Sequence, residues 1–400
     1  MVEDMSEIQK EKADMPAQGL TIQRLALHNF RNHASTVLEM DSRPVCLFGA
    51  NGAGKTNLLE AVSMLGPGKG LRAASLPSLV RVDGGETVQG GWAISARMDD
   101  DGLDRQISVG LEVSAEGRTR RIAKLDDAPV SQTNLAELIR VVWLTPAMDR
   151  VFAGPAGDRR KFYDRQVLAH IPSHGSVSAA YEKAMRERNA LFEQGRPDPS
   201  WLDALEARLA EAGAAIAVNR AQALQRIQNA IDARPEGEFP KADLSIAGEF
   251  EAMALQGDSQ EGIELRIRDS LKDGRGRDSA AGRTLSGVHR SDLQVSHRPK
   301  QLPAAQCSTG EQKALLMGMI LANAKALLEG DFAPNPLLLL DEAAAHLDSA
   351  RRAALYDELA ALGGQAWLTG TDAALFDAFG DRAQRFCVEN GLVTKVENSG

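Results

Sequence analysis

The residues with the clearest chemistry form a glycine-rich segment that ends in a lysine and a threonine. Residues 49–56 read Gly-Ala-Asn-Gly-Ala-Gly-Lys-Thr and fit the phosphate-loop pattern G-x-x-x-x-G-K-[ST] at every fixed position. Glycines let backbone N–H groups turn toward phosphate oxygens, and a following helix adds the positive end of its dipole. Lys55 is expected to reach the β- and γ-phosphates of a nucleotide, and the Thr56 hydroxyl to bind Mg²⁺. The alternative is a glycine-rich turn beside an unrelated lysine.

A second candidate segment, residues 336–342, is an apolar run that ends in Asp341 and Glu342. Such a run is typical of a strand covered on both faces of a mostly parallel sheet, whose ligands bind at the carboxyl ends of the strands. Asp341 would there meet the Mg²⁺ held by Thr56. Glu342 would orient and deprotonate an attacking water. A buried strand with two charges at its exit is the plainer alternative.

A third segment, residues 307–313, opens a long helical pattern just upstream of that strand. A serine, a glycine and a helix N-terminus together make a second anion-binding surface. One γ-phosphate does not need two helix N-termini from one chain, so the expected use is to close over the nucleotide of a partner subunit. Taken alone, the segment is also a plausible helix N-cap. Its residues expected to meet the nucleotide are Ser308, Gly310, Glu311 and Gln312.

In this order the segments resemble those of ABC-type ATPases, and the whole chain resembles the RecF family of bacterial recombination-mediator ATPases. Residues 25–32 look like the family's opening strand with its Phe-Arg-Asn ending. Residues 49–61 match its G-x-N-G-x-G-K-T-N-L-L-E-A segment, which SMC-like relatives share. Residues 146–164 are similar to its Pro-to-Arg-Arg-x-Phe signature, 287–293 to its G-x-H-R-x-D-L element, and 338–355 to its C-terminal signature.

The resemblance implies further nucleotide-binding residues. Ala345, His346, Leu347 and Asp348 resemble the D-loop of ABC-type ATPases, and Thr371 stands where that class carries its switch residue. The nucleotide-binding set implied in this way comprises Arg31, Asn32, Gly49, Asn51, Gly52, Ala53, Gly54, Lys55, Thr56, Asn57, Ser308, Gly310, Glu311, Gln312, Asp348 and Thr371. The chain departs from the family at Ala147, Met148 and Pro155, and its residues 64–72 lack the usual serine–arginine pair.

The elements that must position these residues form an α/β architecture, an ABC/SMC-type ATPase head with an inserted, mainly helical second lobe. Residues 176–194 and 199–234 are rich in alanine, leucine, glutamate and arginine, and predict a short antiparallel helical arm broken by prolines and a glycine. Simple core packing is the alternative role for this arm. The expected organisation is a disordered extension at 1–19, ATPase lobe I at 20–145 and 326–400, and lobe II with the arm and signature loop at 146–325.

Composition restricts the classes of protein further. The three cysteines, Cys46, Cys307 and Cys387, are widely separated in the 400-residue chain, which favours a reducing cytoplasm over a disulfide or zinc framework. The polar first nineteen residues lack the apolar core of a signal peptide. We find no apolar run long enough to span a membrane. The expected location is the cytoplasm, in association with the nucleoid.

The net charge of −9 does not exclude DNA binding, because a local stripe of cations is sufficient. Residues 105–124 and 266–300 are the two basic stretches, and the second contains glycines and is expected to be partly mobile. Solvated surface charge is the alternative. No aromatic residues alternate with these cations, so any contact would be sequence-independent and to phosphates. The cations singled out are Arg118, Arg120, Arg121, Arg266, Arg268, Lys272, Arg275, Arg277, Arg283, Arg290 and Arg298.

The resemblance implies ATP and Mg²⁺ as cofactors and an ATP-dependent homodimer that clamps DNA near a junction of single and double strands. It also implies mediator partners of the RecO and RecR type, recombinase loading for gap repair and the SOS response, and weak DNA-dependent ATP hydrolysis that releases DNA. Three alternatives remain. A transporter ATPase subunit should carry a glutamine-bearing loop, and a DNA-end-processing nuclease needs a further metal cluster. A small-molecule kinase would not need residues 308–312.

Overall fold

The computed structural model describes residues 20–100, 102–114, 116–195, 198–329, 336–345 and 347–396. The extension predicted at residues 1–19 and His346 of the predicted D-loop lie outside these ranges. The chain divides into two compact units, residues 1–146 with 327–400 (unit 1) and residues 147–326 (unit 2). In the ranges described, no helix has the length and apolar character needed to cross a membrane.

Seventeen strands and nine α-helices make up the described parts of the two units. The strands are β1 (Thr21–Phe30), β2 (His33–Glu39), β3 (Val45–Phe48), β4 (Val82–Asp83), β5 (Glu86–Thr87), β6 (Ala93–Asp100), β7 (Leu103–Val113), β8 (Thr119–Leu125), β9 (Ala128–Pro129), β10 (Val141–Leu144), β11 (Ala242–Ala247), β12 (Asp292–His297), β13 (Leu302–Pro303), β14 (Leu337–Leu340), β15 (Ala366–Gly370), β16 (Gln384–Glu389) and β17 (Leu392–Val396). The helices are α1 (Lys55–Ser63), α2 (Gln132–Leu138), α3 (Ala156–His170), α4 (His174–Glu193), α5 (Pro199–Ala233), α6 (Glu249–Gln256), α7 (Gln260–Ala281), α8 (Thr309–Leu328) and α9 (Ser349–Leu362).

The sheet that positions the candidate site in unit 1 has the strand order β10-β14-β15-β3-β16-β17. Its strands are parallel except for the antiparallel pair of β16 and β17. All four residues of β14 are buried, because the strand lies between β10 and β15 inside the sheet. Since β3 and β14 both run parallel to β15, their carboxyl ends lie at one edge, where residues 49–56 and Asp341 follow them.

A second sheet of unit 1 is antiparallel, with the order β2-β1-β6-β7-β8-β9. One buried side chain ties its first strand to the segment that enters β15. The Gln365 amide oxygen accepts from the Ile22 N–H at 3.0 Å, and its amide nitrogen donates to the Ile22 carbonyl at 3.0 Å. The glutamine thus bonds both backbone groups of Ile22, which joins the N-terminal and C-terminal parts of the unit.

Unit 2 is built mainly from helices, with the small sheet β11-β12-β13 at one side. Helices α4 and α5 correspond to the predicted arm, and α5 begins where Asp198 accepts from the Ser200 N–H. Residues 266–281 of the stretch expected to be partly mobile belong to the regular helix α7, and the mobility itself stays a prediction. Ile263, Ile267 and Leu271 form a buried stripe along that helix, and this packing outweighs the poor helix propensity of its glycines.

Candidate nucleotide-binding site

The glycine-rich loop that follows β3 has a backbone conformation that few other residues could adopt. Gly49 has a φ of 148°, and a Cβ there would lie 2.2 Å from the carbonyl oxygen of Val388 in β16. Gly54 has a φ of 116°, and a Cβ there would lie 2.6 Å from the side-chain amide of Asn32. Glycine is therefore needed at both positions, because the loop runs close against two neighbouring segments. Gly54 is also the N-cap of α1.

Lys55, the first residue of α1, is only 4% exposed and points back into this loop. Its Nζ donates to the carbonyl oxygens of Gly49 at 2.7 Å and Ala50 at 2.9 Å. Burial lowers the pKa of the Lys55 ammonium, and the carboxylates of Glu342 and Asp341 act in the opposite direction. The amine is thus held at the centre of the loop, where a phosphate would compete with two backbone carbonyls for it.

One carboxylate oxygen joins the loop to the Asp-Glu strand. Oδ1 of Asp341 accepts from the Thr56 hydroxyl at 2.9 Å and from the Thr369 hydroxyl at 2.8 Å. The Thr369 hydroxyl in turn accepts from the backbone N–H of Glu342 at 2.8 Å. Thr369 was not among the residues predicted from sequence. One signal in the sequence could have indicated it. Thr369 lies near the end of the apolar strand before Thr371, and in the parallel pair of β14 and β15 it lies beside Asp341, the residue that follows β14.

Thr56 and Asp341 fit the Mg²⁺ expected from the sequence. Both present hard oxygen atoms, which Mg²⁺ prefers, and those atoms already lie within 2.9 Å of each other. Within the part of the chain that the structure describes, no group of three or more His, Cys, Asp or Glu side chains could hold a metal ion. A Mg²⁺ ion bound here would therefore need water and nucleotide phosphate oxygens to complete its ligands, which is the usual arrangement for this ion.

Asn32 and Asn57 brace the glycine-rich loop from the side of β1 and α1. The amide nitrogen of Asn32 donates to the Ala53 carbonyl at 3.0 Å, and its amide oxygen accepts from Asn57 at 2.7 Å. Arg72 donates to the amide oxygen of Asn57 at 2.8 Å. Nucleotide contact by either asparagine stays a prediction, and both have a part in holding the loop in shape.

Arg31 makes its contacts within the protein. Its guanidinium binds both carboxylate oxygens of the buried Glu60 at 2.9 Å, and a third donor reaches the Ser78 carbonyl at 3.0 Å. This bidentate pair anchors the residue after β1 to the buried Glu60 of α1. These bonds use three of the five guanidinium N–H donors, and the expected nucleotide contact of Arg31 stays a prediction.

The signature loop predicted at residues 307–313 is in unit 2 and forms the start of α8. Ser308 and Glu311 form a capping box, in which the Ser308 N–H donates to the Glu311 carboxylate at 3.0 Å. The Glu311 N–H donates to the Ser308 hydroxyl at 3.4 Å, and the Gln312 amide donates to the Cys307 carbonyl at 2.8 Å. The ion pair with Lys300, together with the bonds from Ser308, lowers the pKa of Glu311 to about 2. Ser308 and Gly310 remain exposed at the surface of the unit.

The remaining predicted nucleotide-binding residues are in unit 1, at the start of α9, after β15 and in the glycine-rich loop. Asp348 caps α9, where its carboxylate accepts from the Arg351 N–H at 2.9 Å. Thr371 is exposed directly after β15. In the glycine-rich loop, Asn51 and Gly52 are exposed and Ala53 is buried. Of the predicted site residues, Lys55, Thr56, Asp341 and Glu342 are the ones that lie close together within unit 1.

Most of the cations predicted to contact DNA already have partners within their own unit. Arg121 donates to the carbonyls of Met64, Gly66 and Gly68, and burial lowers its pKa to about 10. The other paired cations are Arg118 with Glu116, Arg120 with Glu112, Arg266 with Glu249, Arg268 with Glu264, Arg275 with Asp203 and Glu206, and Arg298 with Asp232 and Asp243. Among the residues described, the predicted cations that no carboxylate contacts are Lys272, Arg277, Arg283 and Arg290.

Comparison with known proteins gives a consistent set of matches. Residues 21–387 match the family model described as the RecF/RecN/SMC N terminal domain. The chain is 49% identical over 389 residues to the DNA replication and repair protein RecF of Mesorhizobium japonicum, covering 96% of this chain and 100% of the relative. It is 49% identical over 379 residues to the protein of the same name from Caulobacter vibrioides, covering 94% and 98%.

Two solved structures have similar folds. One is described as the recombination mediator protein RecF-ATP in the RecFOR pathway, with a TM-score of 0.80, 22% identity, and coverage of 96% of this chain and 100% of that one. The other is an Smc head domain derived from Pyrococcus furiosus, with a TM-score of 0.51, 14% identity, and coverage of 94% and 96%. These matches confirm the predicted fold class, an α/β ATPase head of the ABC/SMC type with an inserted helical lobe.

Proposed function

The chain belongs to the RecF family, and from that premise we propose that it is an ATP-hydrolysing, DNA-binding protein of DNA replication and repair. The observation that supports ATP hydrolysis best is the meeting of Thr56, Thr369 and Asp341 around one carboxylate oxygen. It joins the phosphate loop to the strand that carries Glu342. This is the combination of parts that phosphoryl transfer to water needs, since such catalysis depends on positioning and charge stabilisation.

Each residue of this site has a proposed role in ATP hydrolysis. The loop N–H groups and Lys55 would bind the β- and γ-phosphates, and the ammonium would exchange its bonds to Gly49 and Ala50 for phosphate oxygens. Thr56 and Asp341 would hold Mg²⁺, which when bound supplies positive charge to the phosphates. Glu342 would orient the attacking water and accept its proton. The bond from its N–H to Thr369 would fix the backbone that carries this carboxylate.

We propose further that ATP drives formation of a homodimer in which Ser308, Gly310, Glu311 and Gln312 close over the nucleotide of the partner chain. Two chains would then enclose two ATP molecules and clamp DNA near a junction of single and double strands. Mediator proteins of the RecO and RecR type would act with this dimer to load recombinase for gap repair and the SOS response. Slow, DNA-dependent hydrolysis would release the DNA. These events would take place in the cytoplasm, at the nucleoid.

The alternative is an SMC-like or ABC-type ATPase with another role, such as DNA-end processing or energy supply to a transporter. The two readings differ in how DNA affects the protein. A DNA clamp should bind DNA more tightly with ATP than with ADP, and DNA should raise its ATPase rate. A transporter subunit should respond to neither. An end-processing enzyme should shorten a labelled duplex in the presence of a divalent metal ion.

The substitution Glu342→Gln tests the proposed function. The amide cannot accept the proton from water, so ATP hydrolysis should fall at least about a hundredfold while ATP affinity is kept. The ATP-bound dimer should then persist, and DNA release should slow. Sedimentation velocity with ATP and a junction-containing oligonucleotide would measure the dimer, and phosphate release would measure turnover.

Glu137→Gln is the matched control, because Glu137 is an exposed carboxylate of α2 outside the site. This control should hydrolyse ATP at the parental rate. Hydrolysis by Glu342→Gln at that same rate would assign the general base to another residue. A parent protein that stays monomeric with ATP and DNA would contradict the clamp.

A further inference from the structure

Unit 2 contains a cavity of about 210 Å³ where helices α3, α4 and α5 meet the turn at residues 288–290. None of the proposed nucleotide-binding residues lines it. Its walls carry charged and hydrogen-bonding groups beside the apolar side chains of Met185, Ile216 and Val288. The side chains with polar groups that line it are Arg160, Lys161, Asp164, Ser178, Tyr181, Glu182, Arg220 and His289.

The cavity is built where two segments singled out in the sequence come together. Arg159, in α3, binds both carboxylate oxygens of Asp292 at 2.8 Å. Arg160 donates from Nη1 to the carbonyl of Ser291 at 2.6 Å. The Arg-Arg pair of one segment is thus fixed to the His-Arg-Ser-Asp element of the other, although about 130 positions separate them in the chain. These bonds therefore connect the wall that contains Arg160 to the residues that follow the turn at 288–290.

The buried carboxylates around the cavity are already bound by other cations. Asp164 accepts two bonds from Arg220, at 2.7 and 2.9 Å, and Glu251 accepts a third bond from Arg220 at 2.7 Å. Glu182, at the rim, lies 3.7 Å from Arg186 on its own helix. Asp292 is held by Arg159. Glu182 is an exposed carboxylate in a weak surface pair, so the buried Asp164 is the lining carboxylate that a cation clearly neutralises.

Arg160 has no carboxylate partner among the residues described. Its guanidinium is half-buried, and the Ser291 carbonyl is the one acceptor that it contacts. Burial lowers the pKa of Arg160 and the nearby Arg220 lowers it further, while the carboxylates of Asp164 and Asp292 act in the opposite direction. A partly desolvated guanidinium that no carboxylate contacts directly can still gain from a bound anion. Lys161, at the mouth, makes only a 3.6 Å exposed contact with Asp158.

His289 does not supply charge to this cavity. Its Nε2 faces the Thr284 carbonyl at 3.1 Å, so that nitrogen carries the proton. Its Nδ1 therefore accepts the bond from the Tyr181 hydroxyl at 2.8 Å. Burial lowers the pKa of His289 and favours this neutral form. The positive charge available to a ligand comes from Arg160, Lys161 and the neighbouring Arg290.

We propose that this cavity binds a phosphate group of the DNA backbone, with Arg160 and Lys161 as its ligands. The proposal rests on the proposed DNA-binding function and assigns a site to it. A polyanion fits better than a small anion, because further exposed cations without carboxylate partners stand on both sides of the turn that lines the cavity. Arg283 and Arg290 bracket the loop that carries His289.

Arg160→Gln and Lys161→Gln test the proposal, because each substitution removes one positive charge. At position 160, glutamine still offers an N–H donor to the Ser291 carbonyl. Binding of a labelled duplex is measured by fluorescence anisotropy between 50 and 200 mM KCl in the presence of ATP, roughly the range over which phosphate contacts dominate affinity. The slope of log K against log salt should fall by about 0.9 for each variant and by about twice that for the double variant. Lys183→Gln, an exposed lysine of α4 outside the cavity, is the control and should leave the slope unchanged.

The outcomes separate this inference from the proposed function. An unchanged slope in both single variants, with parental DNA binding intact, would overturn the cavity site and leave DNA binding in place. If Arg160→Gln proves unstable to heat, the salt slope of Lys161→Gln alone tests the cavity site. The Lys161 side chain is exposed and makes no buried contact, so its replacement should not affect folding. A parent chain that binds no duplex under any of these conditions would overturn the DNA-binding function and the cavity site together.

Discussion

Thr369 shows how a neutral hydroxyl can organise an acidic site at the scale of single residues. It donates to Asp341 and accepts from the N–H of Glu342, so one side chain fixes both neighbouring acidic residues. Glu342 has a φ of 52°, a left-handed conformation that residues other than glycine seldom adopt. Such backbone strain persists only where surrounding contacts hold it, and the Thr369 bond is one of those contacts. We infer that Thr369 is a positioning residue for hydrolysis.

Thr369→Val should keep the shape of this side chain and remove both hydrogen bonds. The part-buried N–H of Glu342 and the buried Asp341 carboxylate each lose a partner, at a cost of up to about 1–3 kcal/mol for each group. We expect kcat for ATP hydrolysis to fall about tenfold or more, with a much smaller change in KM, because nucleotide binding rests mainly on the glycine-rich loop. Steady-state ATPase kinetics would measure both quantities.

Thr369→Ser is the matched control, since it keeps the hydroxyl and loses one methyl group. It should retain most of the parental kcat. Equal activity in the valine and serine variants would show that the hydroxyl does not position the two acidic residues.

The sequence predicted the residues of the site that belong to local motifs. Lys55 and Thr56 follow from a short pattern, and Asp341 follows from the end of an apolar run. The role of Thr369 depends instead on which strands are neighbours, because it meets Asp341 across 28 positions of the chain. Likewise, the pairing of Arg31 with Glu60 could not be read from a motif. Non-local contacts of this kind depend on strand and helix packing.

At the scale of secondary structure elements, α4 carries two arginines in opposite environments. Arg186 is exposed and lies 3.7 Å from Glu182 on the same helix. Arg188 is fully buried and contacts Glu206 of α5 and Asp278 of α7 at 2.9 and 2.6 Å. The buried arginine thus joins three helices of unit 2 through its charge, while the exposed one affects its own helix alone.

Arg188→Met should destabilise unit 2 strongly, because Glu206 and Asp278 would remain buried with less compensation. Removing one partner of a buried ion pair costs about 3–5 kcal/mol. Arg186→Met, two residues away, should change the free energy of unfolding by about 1 kcal/mol or less. Urea unfolding followed by circular dichroism would compare the two variants. Equal effects of the two substitutions would show that the buried network does not hold these helices together.

The elements themselves were predictable to different degrees. Helices α4 and α5 follow from their high content of alanine, leucine, glutamate and arginine and from the prolines and glycine between them. The charged and glycine-containing sequence of α7 predicted mobility, and the helix forms because its Ile263–Ile267–Leu271 stripe packs on α5. Tertiary packing therefore decided the structure where local propensity was weak.

At the scale of the whole molecule, DNA binding depends more on where the cations lie than on the net charge. The net charge of −9 includes many cations that are paired inside their own units. The partners of Arg298 are Asp232 and Asp243, which lie more than fifty positions away, so sequence alone could not separate paired from unpaired cations. The unpaired group, Lys272, Arg277, Arg283 and Arg290, is the part of the predicted basic stretch that remains available for phosphate contacts.

The division of the nucleotide-binding residues between two units makes a dimer testable. Lys55 belongs to unit 1, and Ser308 belongs to unit 2. If Ser308 acts on the nucleotide of a partner chain, Ser308→Arg should leave nucleotide binding by the monomer nearly intact. It should abolish the ATP-dependent dimer, because a bulky cation would replace a small hydroxyl at an exposed surface. Ser279→Arg, an exposed serine of α7, is the matched control and should dimerise normally.

Mixing Ser308→Arg with Lys55→Met chains gives the sharpest test of this shared site. Lys55→Met alone should bind no ATP, because the ammonium that contacts the phosphates is lost. In the mixed dimer, one site combines an intact glycine-rich loop with an intact signature loop, and the other site has neither. If one closed site suffices for turnover, the mixture should recover part of the lost ATPase rate, and the recovery should grow with protein concentration by mass action. The parental rate per chain should likewise fall on dilution. A rate that stays constant down to concentrations where sedimentation finds only monomer would rule out a site shared between chains.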